Sequence, residues 1–570
     1  MNQLKPLYAL LFDTRSIQKY IYSGNLLSTN IGASYIVDRI FYDDLTEILQ
    51  KVFPMEDFST DKNSAWDITK DNFIPWQKMQ SACIAYVGGG NALILFDRSA
   101  AEKRVTVVSE FTRQLLVKYP GLKVGAAMGE LTLNTETWQL DPKELDSLYV
   151  ELKKNQNTIF PAVNVPYSGL TLSCEVNGET ANFYGVIKKD DGKRFFSQEV
   201  AAKFQAAGDA NENLKDRFNE IFEIKRSKER MDDYKFPLKV DELGQKEKEN
   251  YFAIVHVDGN NMGLKFRTCN TLLERRKLSR EIRRKTEGAF ADLLLRIIQL
   301  IDKKVINEHL NLKGKTLPIR PLIIGGDDVT FICPANMAVM FTKTLMELMS
   351  RETPENAPEH LTSELSRSLD CCAGIAILPT AYPFFRGYVL AEQLCGEAKK
   401  SMRLEMKDKK DIAVISGSNW LDFAILHGEQ APTLEQIRAN EYTGVRGNMH
   451  FGPYKVDNLN GKSSKDCRYN IENLLECSRQ FKVNTDSMAK NKIKELRNVL
   501  QYGKDETARF LRQLKYQKQK LPNIPDWEDY TNEKNLLWSD EKESKTPYVD
   551  AIELMDFYIP EVAKEWQNLM

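Results

Sequence analysis

Two stretches of the chain show the same order of apolar, strand-like runs and amphipathic, helical runs. The first stretch contains LYALLF, a helical run, CIAYV and ALILF around a GGGN turn, a second helical run and LKVGAAMG. The second contains YFAIVHV, a long amphipathic run, PLII and VTFIC around GGDD, another helical run and CCAGIAIL. Short apolar runs bounded by turn residues predict strands, and apolar spacing of three to four residues predicts helices. The repeated β-α-β-β-α-β order predicts two ferredoxin-like units and an internal duplication.

The predicted fold class is α+β, with two ferredoxin-like palm domains, a connecting segment and a helical C-terminal domain. The predicted domains are a first palm-like domain at 1–165, a mostly helical connection at 166–249, a second palm at 250–412, and a strand extension with helical domain at 413–570. The polar, proline-bounded stretch 53–76 predicts a loop insertion, and DIAVIS and WLDFAIL predict the strand extension. A chain of 570 residues is expected to divide into several domains.

Composition excludes some classes of protein and leaves others open. The formal net charge is -1, so any nucleic-acid contact must come from a local patch. One such patch is the predicted helical segment from Lys492 to Lys520, where basic residues outnumber acidic ones; it is either a solvated face or a contact for RNA or a partner. No apolar run is long enough for a membrane span, and the first residues lack the pattern of a signal peptide. We therefore expect a cytoplasmic protein with reduced thiols and no membrane contact.

Carboxylates follow two of the predicted strands of the second unit. VHVDGNNMG places Asp258 at the end of a strand, with Gly259 leaving space for a ligand near the backbone. IIGGDDVTF places Gly325 and Gly326 in a hairpin turn, where paired glycines suit positive φ angles, and places Asp327 and Asp328 at its tip. Adjacent strands lie about 5 Å apart, so the three carboxylates are expected to meet at one edge of the sheet.

Three converging carboxylates would repel one another unless cations neutralise them. Mg²⁺ suits such a site because it binds a few carboxylates and completes its octahedron with water and phosphate oxygens. We expect Asp258, Asp327 and Asp328 to hold two Mg²⁺ or Mn²⁺ ions and to be the catalytic residues. Two such ions would activate an attacking hydroxyl and stabilise a pyrophosphate leaving group, which is the chemistry of nucleotidyl transfer.

Several segments of the second unit, namely VDGNNMG, PIRPLIIGGDDVTF and CAGIAILPTAYPFFRGYVLAEQLCGEAKK, resemble the GGDD palm of the large polymerase-like subunit of type III CRISPR effector complexes, itself related to GGDEF nucleotide cyclases. FDTRSIQKYIYSGNLLSTNIGASYIVD resembles the first palm of the same family. There GGGN replaces the acidic turn, so the first palm is expected to be catalytically degenerate, although Asp13 keeps the strand-end position.

The resemblance implies an activity, a substrate and further site residues. In that family the second palm converts ATP into cyclic oligoadenylates that activate antiviral effectors. Lys399 would hold triphosphate as a point charge, and Ser34 would help to bind a second nucleotide against the first palm. From the residues alone, a lysine on a helix such as Lys399 is most often solvated, and Ser34 suits a helix N-cap or a packed serine equally well. The expected partners are ATP or other nucleoside triphosphates, with guide RNA and effector subunits at the C-terminal helical domain; self-association is left open.

The chain departs from the family pattern at several points. Asn260 stands where the family usually has an acidic residue, which would make one metal contact weaker or water-mediated. None of the five histidines precedes an aspartate, so no HD nuclease activity is expected. Cys174 has no cysteine two or three residues on, so no structural zinc is expected there. His256 shares a strand face with Asp258, which suits either a role near phosphate or a satisfied, half-buried histidine.

Three functions therefore remain open from the sequence. The first is a metal-dependent nucleotidyltransferase or cyclase of antiviral defence that condenses ATP into cyclic oligoadenylates. The second is a catalytically silent or partner-dependent scaffold of an RNA-guided effector complex. The third is a standalone enzyme that makes a cyclic dinucleotide, with guanine not excluded as the base. Intact acids at all three expected positions favour an active palm, because a scaffold has no physical need for them.

Overall fold

The computed structural model of the chain describes most of its residues. These are residues 4–56, 58, 81–88, 90–137, 139–158, 160, 162–163, 167–186, 193–246, 251–269, 271–352, 368–407, 417–428, 433–445, 447–456, 467–483, 488–531, 536–538 and 545–569. The strand predicted at 411–416 and most of the loop insertion predicted at 53–76 lie outside the described residues.

The first sheet is built from four strands of the N-terminal part. They are β1 (Leu4–Arg15), β2 (Ala82–Gly88), β3 (Asn91–Phe96) and β4 (Lys123–Asn134). Their order is β2-β3-β1-β4, and every neighbouring pair is antiparallel. This is the arrangement that a β-α-β-β-α-β order gives when the third strand inserts between the first two. The central strand β1 is apolar on both faces, so the sheet is covered on both sides.

The helices of this part divide between the two faces of the sheet. They are α1 (Ile17–Ile21), α2 (Leu27–Arg39), α3 (Asp44–Val52), α4 (Lys103–Lys118) and α5 (Pro142–Gln156). The start of α5 follows from its sequence, because the Asp141 side chain accepts from the first-turn amides and Pro142 needs no partner there. Leu145, Leu148 and Leu152 of α5 cover one face of the sheet, in a core separate from that of the opposite face.

The connecting segment contains one hairpin and one long helix. The hairpin pairs β5 (Phe183–Gly185) with β6 (Arg194–Phe196), and α6 (Gln198–Ile224) begins at the capping hydroxyl of Ser197. The prediction of a mostly helical connection holds for α6, whereas residues 225–246 form 3₁₀ turns and extended chain. The physical reason is that Lys235 exchanges backbone hydrogen bonds with Lys315 and Leu317, which replace helical ones.

The second sheet repeats the first and is then extended. Its strands are β7 (Tyr251–Gly259), β8 (Arg320–Gly325), β9 (Asp328–Pro334), β10 (Cys371–Pro379), β11 (Asn419–Ile425) and β14 (Tyr454–Val456). A separate short pair lies between the last two, β12 (Thr443–Gly444) and β13 (Gly447–Asn448). The order is β14-β11-β10-β7-β9-β8, with β11 parallel to β10 and the other neighbours antiparallel. The strands β8-β9-β7-β10 therefore repeat the order of the first sheet.

Five helices accompany the second sheet. They are α7 (Met262–Thr268), α8 (Leu272–Asp302), α9 (Ala338–Ser350), α10 (Phe384–Met406) and α11 (Leu434–Glu441). A capping box of Thr271 and Glu274 starts α8, the longest of them. Gly374 on β10 lets α10 approach the sheet, because a Cβ there would lie 1.9 Å from the carbonyl oxygen of Ala391.

The C-terminal described residues are helical. Their helices are α12 (Ile471–Val483), α13 (Lys490–Gln501), α14 (Lys504–Tyr516), α15 (Glu528–Thr531), α16 (Pro547–Met555) and α17 (Pro560–Gln567). Within the predicted basic face of α13 and α14, Lys492, Arg497 and Arg509 are paired with acidic side chains, which reduces the free positive charge. Among the described helices, none is long and apolar enough to cross a bilayer.

The two palm-like halves pack directly against each other. Tyr22, just after α1, stacks on Tyr388 of α10 with ring centroids 4.3 Å apart. The Ser34 hydroxyl of α2 donates to the carbonyl oxygen of Leu322 on β8. One continuous apolar core runs through both halves, so the space between the two sheets has a fixed geometry.

Candidate active site between the two palms

Asp258 and Asp328 lie opposite each other in the second sheet. The register of β7 and β9 pairs Asp258 with Asp328, and the same register pairs Asp258 with Cys372 on β10. This register is fixed by the apolar pattern of both strands, because a slip of one residue would expose a buried face. The prediction that these two carboxylates share one edge of the sheet agrees with this geometry.

A two-residue turn joins β8 to β9. Gly325 pairs with Asp328, so Gly326 and Asp327 are the two turn residues. Gly326 has φ +61°, whereas Gly325 and Asp327 do not have positive φ. The expectation that both glycines adopt positive φ is therefore wrong for Gly325, which ends β8. A positive φ at the first turn position alone is the pattern of a type II′ hairpin.

Gly259 makes room for an aspartate and not for a ligand. A Cβ at this position would lie 2.7 Å from Asp327 Cβ and 2.7 Å from Met262 Cε. The Gly259 amide also donates to the carbonyl oxygen of Asp327 at 3.2 Å. The glycine thus lets the turn pack onto the end of β7, and this corrects the predicted reason for its presence.

The turn carboxylates are hard to ionise in their surroundings. Burial raises the pKa of Asp327 to about 7, and the charges of Asp258 and Asp328 add to the rise. Burial raises the pKa of Asp328 to about 8, again with a contribution from Asp258, against the opposing effect of Lys399. Like charges held close together have this effect, and a cation at the site would reverse it.

Lys399 of α10 neutralises one of the three acids. Its Nζ lies 2.5 Å from Asp258 Oδ2. Burial lowers the pKa of Lys399, but the attraction and hydrogen bond of Asp258 outweigh burial, so the pKa is raised. The lysine predicted to hold a triphosphate is therefore at the acidic cluster, bonded to a carboxylate. It is not the solvated lysine of the alternative interpretation.

The acidic side chains have features that suit a divalent cation. Asp328 Oδ1 is buried and accepts no hydrogen bond from the described residues, although His256 Nδ1 lies 3.3 Å from it, so this oxygen has capacity left to bind a cation. The described residues contain no ready-formed group of three His, Cys, Asp or Glu side chains around one point. Asp258 is held by Lys399 in this state, so cation binding would require the lysine to release it. Asp258, Asp327 and Asp328 are oxygen donors of the kind that Mg²⁺ and Mn²⁺ bind.

His256 and Asn260 have structural partners. His256 Nδ1 lies 3.2 Å from Thr330 Oγ1 and 3.3 Å from Asp328 Oδ1, and burial lowers the pKa of the imidazole. The residue is 5% exposed, more deeply buried than the predicted half-buried histidine. The Asn260 amide donates to the carbonyl oxygen of Ser418, before β11. Asn260, which stands where the family usually has an acidic residue, thus forms a hydrogen bond with the segment that leads into β11.

A cavity of about 780 Å³ lies between the two palms and reaches the acidic cluster. Asp258, Gly325, Gly326, Asp327 and Asp328 form part of its wall. The opposite wall comes from α2 and the β2–β3 turn of the first palm, including Ser34 and Gly90. The volume is typical of a site for a small ligand, and both palms contribute to it.

A group of arginines forms a further wall of this cavity. They come from α6, α8 and β8 and are Arg217, Arg280, Arg283, Arg284 and Arg320. Arg217 and Arg283 both bond the carboxylate of Glu287, so part of the charge is neutralised. Arg320 is 1% exposed, and burial lowers its pKa to about 9. Buried guanidinium groups facing a cavity are suited to bind an anionic ligand such as phosphate.

Sequence reasoning missed these arginines, although the sequence carries a signal for them. The segment ERRKLSREIRRKTE belongs to the long amphipathic run that predicts a helix after YFAIVHV. Arg280, Arg284 and Glu287 recur at a helical spacing and face the cavity together. A polar stripe on a helix that is otherwise buried is the pattern that could have indicated a ligand wall.

Of the two site residues predicted in the first palm, Ser34 lines the cavity and Asp13 does not. Ser34 lies within α2 and contacts β8, so it is neither an N-cap nor remote from the cavity. Asp13 pairs in register with Asn91, as Asp258 does with Asp328, which supports the internal duplication. Its carboxylate accepts from Gln156 at 2.5 Å and is not part of the cavity wall. The structure therefore does not bring Asp13 to the site.

Comparisons with known proteins agree with the geometry of the second palm. Residues 251–410 match the family model described as Cas10/Cmr2, second palm domain. No curated protein sequence matches the chain.

Solved structures that resemble the chain come from CRISPR proteins. A crystal structure of a Csm1–Csm4 cassette in complex with cA4 aligns with TM-score 0.49 and 11% identity, over 97% of this chain and 69% of that one. The crystal structure of Csm1 in T. onnurineus aligns with TM-score 0.48 and 10% identity, over 97% and 69% of the two chains. The resemblance predicted from the sequence is confirmed by the match of residues 251–410 to the second palm domain of the Cas10/Cmr2 family.

Proposed function

We propose that the chain is a metal-dependent nucleotidyltransferase that condenses ATP into linear or cyclic oligoadenylates in antiviral defence. The observation that carries the proposal is the in-register pairing of Asp258 with Asp328 on the wall of a cavity that both palms line. The second-palm family match supports the same reaction class. The choice of adenine over guanine rests on the resemblance to the large subunit of type III CRISPR effector complexes.

The acidic side chains would hold the metal ions and the reacting phosphate. Bound Mg²⁺ or Mn²⁺ would lower the pKa of the attacking hydroxyl and stabilise the leaving pyrophosphate. Asp258 and Asp328 present their oxygens from two hydrogen-bonded strands, so their spacing is set by the rigid sheet. Lys399 would exchange its bond to Asp258 for one to a phosphate oxygen of the donor nucleotide.

The second nucleotide would lie against the first palm and the arginine wall. Its hydroxyl attacks the α-phosphate of the donor, the bond to pyrophosphate breaks, and the hydroxyl proton leaves to solvent or to a carboxylate of the site. Arg320 and Arg217 line the same cavity as the acids and would hold the phosphates of this acceptor. Ser34 lies on the first-palm wall of the cavity and fits a contact to this nucleotide.

The test is incubation of the full chain with Mg²⁺ or Mn²⁺ and each of the four nucleoside triphosphates, with products identified by mass spectrometry. The inactivating variant is Asp327→Ala/Asp328→Ala. A matched control is Asp232→Ala/Asp233→Ala, which alters another adjacent aspartate pair, exposed and away from the cavity. We expect adenylate products from the wild type and the control and none from the inactivating variant.

The other outcomes decide between the remaining functions. Guanylate products would show that the substrate is GTP and not ATP, and they would favour a cyclic dinucleotide synthase. If the pure chain gives no product, the assay is repeated with its natural partner subunits and their RNA, and product there supports a partner-dependent enzyme. No product under either condition would leave the scaffold as the function and end the catalytic proposal.

A further inference from the structure

His256 is a buried histidine directly beside the acidic cluster. The register of β7 and β9 pairs His256 with Thr330, two positions along the sheet from the pair of Asp258 and Asp328. Side chains alternate between the two faces of a strand, so these four side chains lie on the same face of the sheet. Helix α10 covers this face, since its Lys399 bonds Asp258. His256 is therefore enclosed between the sheet and α10, next to the carboxylates.

One ring nitrogen of His256 faces two oxygens. Nδ1 lies 3.2 Å from Thr330 Oγ1, within hydrogen-bond geometry, and 3.3 Å from Asp328 Oδ1, which accepts no hydrogen bond from the described residues. An ionised carboxylate oxygen only accepts hydrogen bonds, whereas a hydroxyl can donate or accept. Both contacts are therefore favourable at once when the imidazole has a proton on Nδ1, because this N–H can donate to either oxygen.

Aromatic contacts hold the imidazole ring in place. Tyr388 of α10 meets the ring edge to face, with centroids 5.5 Å apart and an angle of 74° between the planes. Tyr388 in turn stacks on Tyr22 of the first palm, and both tyrosines are fully buried. A ring packed in this way has little freedom to turn, so Nδ1 stays directed at Thr330 and Asp328.

The two oxygens of the Asp328 carboxylate have different surroundings. The side chain is 34% exposed, although Oδ1 is buried. The exposed surface therefore belongs to the other atoms of the side chain, and Oδ2 is the carboxylate oxygen open to the cavity. A hydrogen bond at Oδ1 would stop rotation of the carboxylate and so fix the direction of Oδ2. It would also leave one lone pair of Oδ1 for a cation.

We propose that His256 is a positioning residue for Asp328, whose Nδ1–H donates to Oδ1 of the ionised carboxylate and fixes Oδ2 toward a divalent cation in the cavity. The proposal rests on the proposed function, in which Asp328 is a metal ligand. Carboxylates that bind metals are usually hydrogen-bonded, and loss of such an outer partner typically costs about 10–100-fold in metal affinity. The alternative is a histidine that only fills space between the sheet and α10.

The first measurement locates the proton on His256 in the metal-free protein. The full chain is labelled with ¹⁵N-histidine and kept in EDTA, and the ¹⁵N chemical shifts of the two ring nitrogens show which of them is protonated. Among the five histidines of the chain, His256 is identified as the one that added Mn²⁺ broadens most. We expect a proton on Nδ1. A proton on Nε2 alone would overturn the proposal, and this result needs no variant to fold.

The second measurement compares two variants that differ in where they place an N–H group. The amide of His256→Asn lies near the position of Nδ1, whereas the amide of His256→Gln lies near that of Nε2. Both variants remove the ring and keep an amide, so thermal unfolding should show a similar loss of packing in each. We expect His256→Gln to lower the affinity for Mn²⁺ by about 10–100-fold, and His256→Asn to keep an affinity close to that of the wild type. Paramagnetic relaxation of water protons measures this affinity without nucleotide.

Thr330→Val separates the imidazole from the neighbouring hydroxyl. The variant removes the other oxygen beside Nδ1 and leaves Asp328 Oδ1 in place. We expect its affinity for Mn²⁺ to be no lower than that of the wild type. A fall as large as that of His256→Gln would assign the positioning of Asp328 to the hydroxyl and overturn the proposal.

Equal affinities of His256→Asn and His256→Gln for Mn²⁺ would also overturn the proposal, because the effect would then not depend on the place of the N–H. Asp327→Ala/Asp328→Ala is the reference and should lose Mn²⁺ binding. If it does so while the two His256 variants are equal, the role of His256 fails and the metal site of the proposed function stands. If it binds Mn²⁺ as the wild type does, the metal ion lies elsewhere and both proposals fail. No product is measured in these experiments, so a failure of nucleotidyl transfer alone leaves the role of His256 unaffected.

Discussion

The guanidinium of Arg320 on β8 donates to the side-chain oxygen of Asn211 on α6 at 2.5 Å. Arg320 is almost fully buried, and no described carboxylate offsets the effect of burial on its pKa. The guanidinium carbon of Arg320 lies 5.4 Å from the centre of the Phe236 ring. A buried cation with a neutral hydrogen-bond partner is costly for the free protein, and an anion in the cavity would compensate it.

We therefore expect Arg320→Met to affect stability and binding in opposite directions. Replacement of a buried, uncompensated charge by an apolar side chain should leave the free energy of unfolding unchanged or raise it by about 1–4 kcal/mol. Affinity for ATP should fall, because an anion contact is lost. Urea unfolding and ATP titration on the same samples measure both effects. A variant that is less stable and binds ATP normally would show that Arg320 is structural.

Lys399 and its neighbour Lys400 provide a matched pair of variants. Lys399 bonds Asp258, whereas Lys400 is exposed and pairs with Glu397 within α10. We expect Lys399→Met to lower the rate of product formation by about 10²–10³-fold, because the contact that Lys399 would make to the reacting phosphate is lost. Lys400→Met should keep the wild-type rate.

The same two variants separate the role of Lys399 from a general charge effect. Removal of Lys399 frees Asp258 for the cation, so the affinity for Mn²⁺ should rise, which paramagnetic NMR relaxation measures in the absence of nucleotide. Equal rates for the two variants would mean that Lys399 makes no contact that the reaction needs.

Much of the second palm could be predicted from sequence because its signals are local. Apolar runs in the sequence predict the strand that carries Asp258 and the hairpin that carries Asp327 and Asp328. Burial of the apolar faces of β7 and β9 then sets the register that pairs Asp258 with Asp328. The sequence marks Gly259 as a position where a side chain is not tolerated, but the cause is Asp327, which packs against it from the β8–β9 turn. That contact joins residues far apart in the chain, which a local pattern does not encode.

The cavity walls could not be predicted for the same reason. Arg320 lines the cavity in a position set by its hydrogen bond to Asn211, because α6 packs beside β8. Ser34 contacts Leu322 because the two palms pack against each other. Such features are properties of tertiary packing and appear once the helices are placed.

Gly259→Ala should damage the site without unfolding the domain. The added Cβ would lie 2.7 Å from Asp327 Cβ, so the turn that carries Asp327 must move. Overpacking of this kind costs about 1–3 kcal/mol of stability. We expect product formation to fall by about 10²-fold, since displacement of a reacting group by about 1 Å has that effect. Gly263→Ala, where an added Cβ meets open space, is the control and should behave as the wild type. Activity of Gly259→Ala near the control level would show that the position of Asp327 is not critical.

A buried charge network between the strand extension and the C-terminal helices should give the protein a defined pH dependence. His450 bonds Asp550 of α16 through Nδ1 at 2.9 Å and Asp422 of β11 through Nε2 at 2.8 Å. Arg438 of α11 also bonds Asp422. Burial lowers the pKa of His450 and the Arg438 charge lowers it further, but the two carboxylates outweigh both, so the pKa is raised. Burial raises the pKa of Asp422, but Arg438 and His450 outweigh burial and lower it.

The sign of each shift gives the pH window in which the network stabilises the fold. A raised pKa of His450 means that its contribution is complete below its ordinary value of 6.5 and is lost as the pH rises through the folded-state value. A lowered pKa of Asp422 means that its contribution is complete above pH 3.8 and is lost as the pH falls through the folded-state value.

Urea unfolding should therefore show a lower free energy of unfolding at about pH 9 than at about pH 6, and His450→Gln should reduce that difference. Asp422→Asn leaves Arg438 and His450 without their shared carboxylate, and it should cost about 3–5 kcal/mol at neutral pH. An unchanged difference between the two pH values in His450→Gln would mean that this histidine is neutral in the folded protein throughout the range.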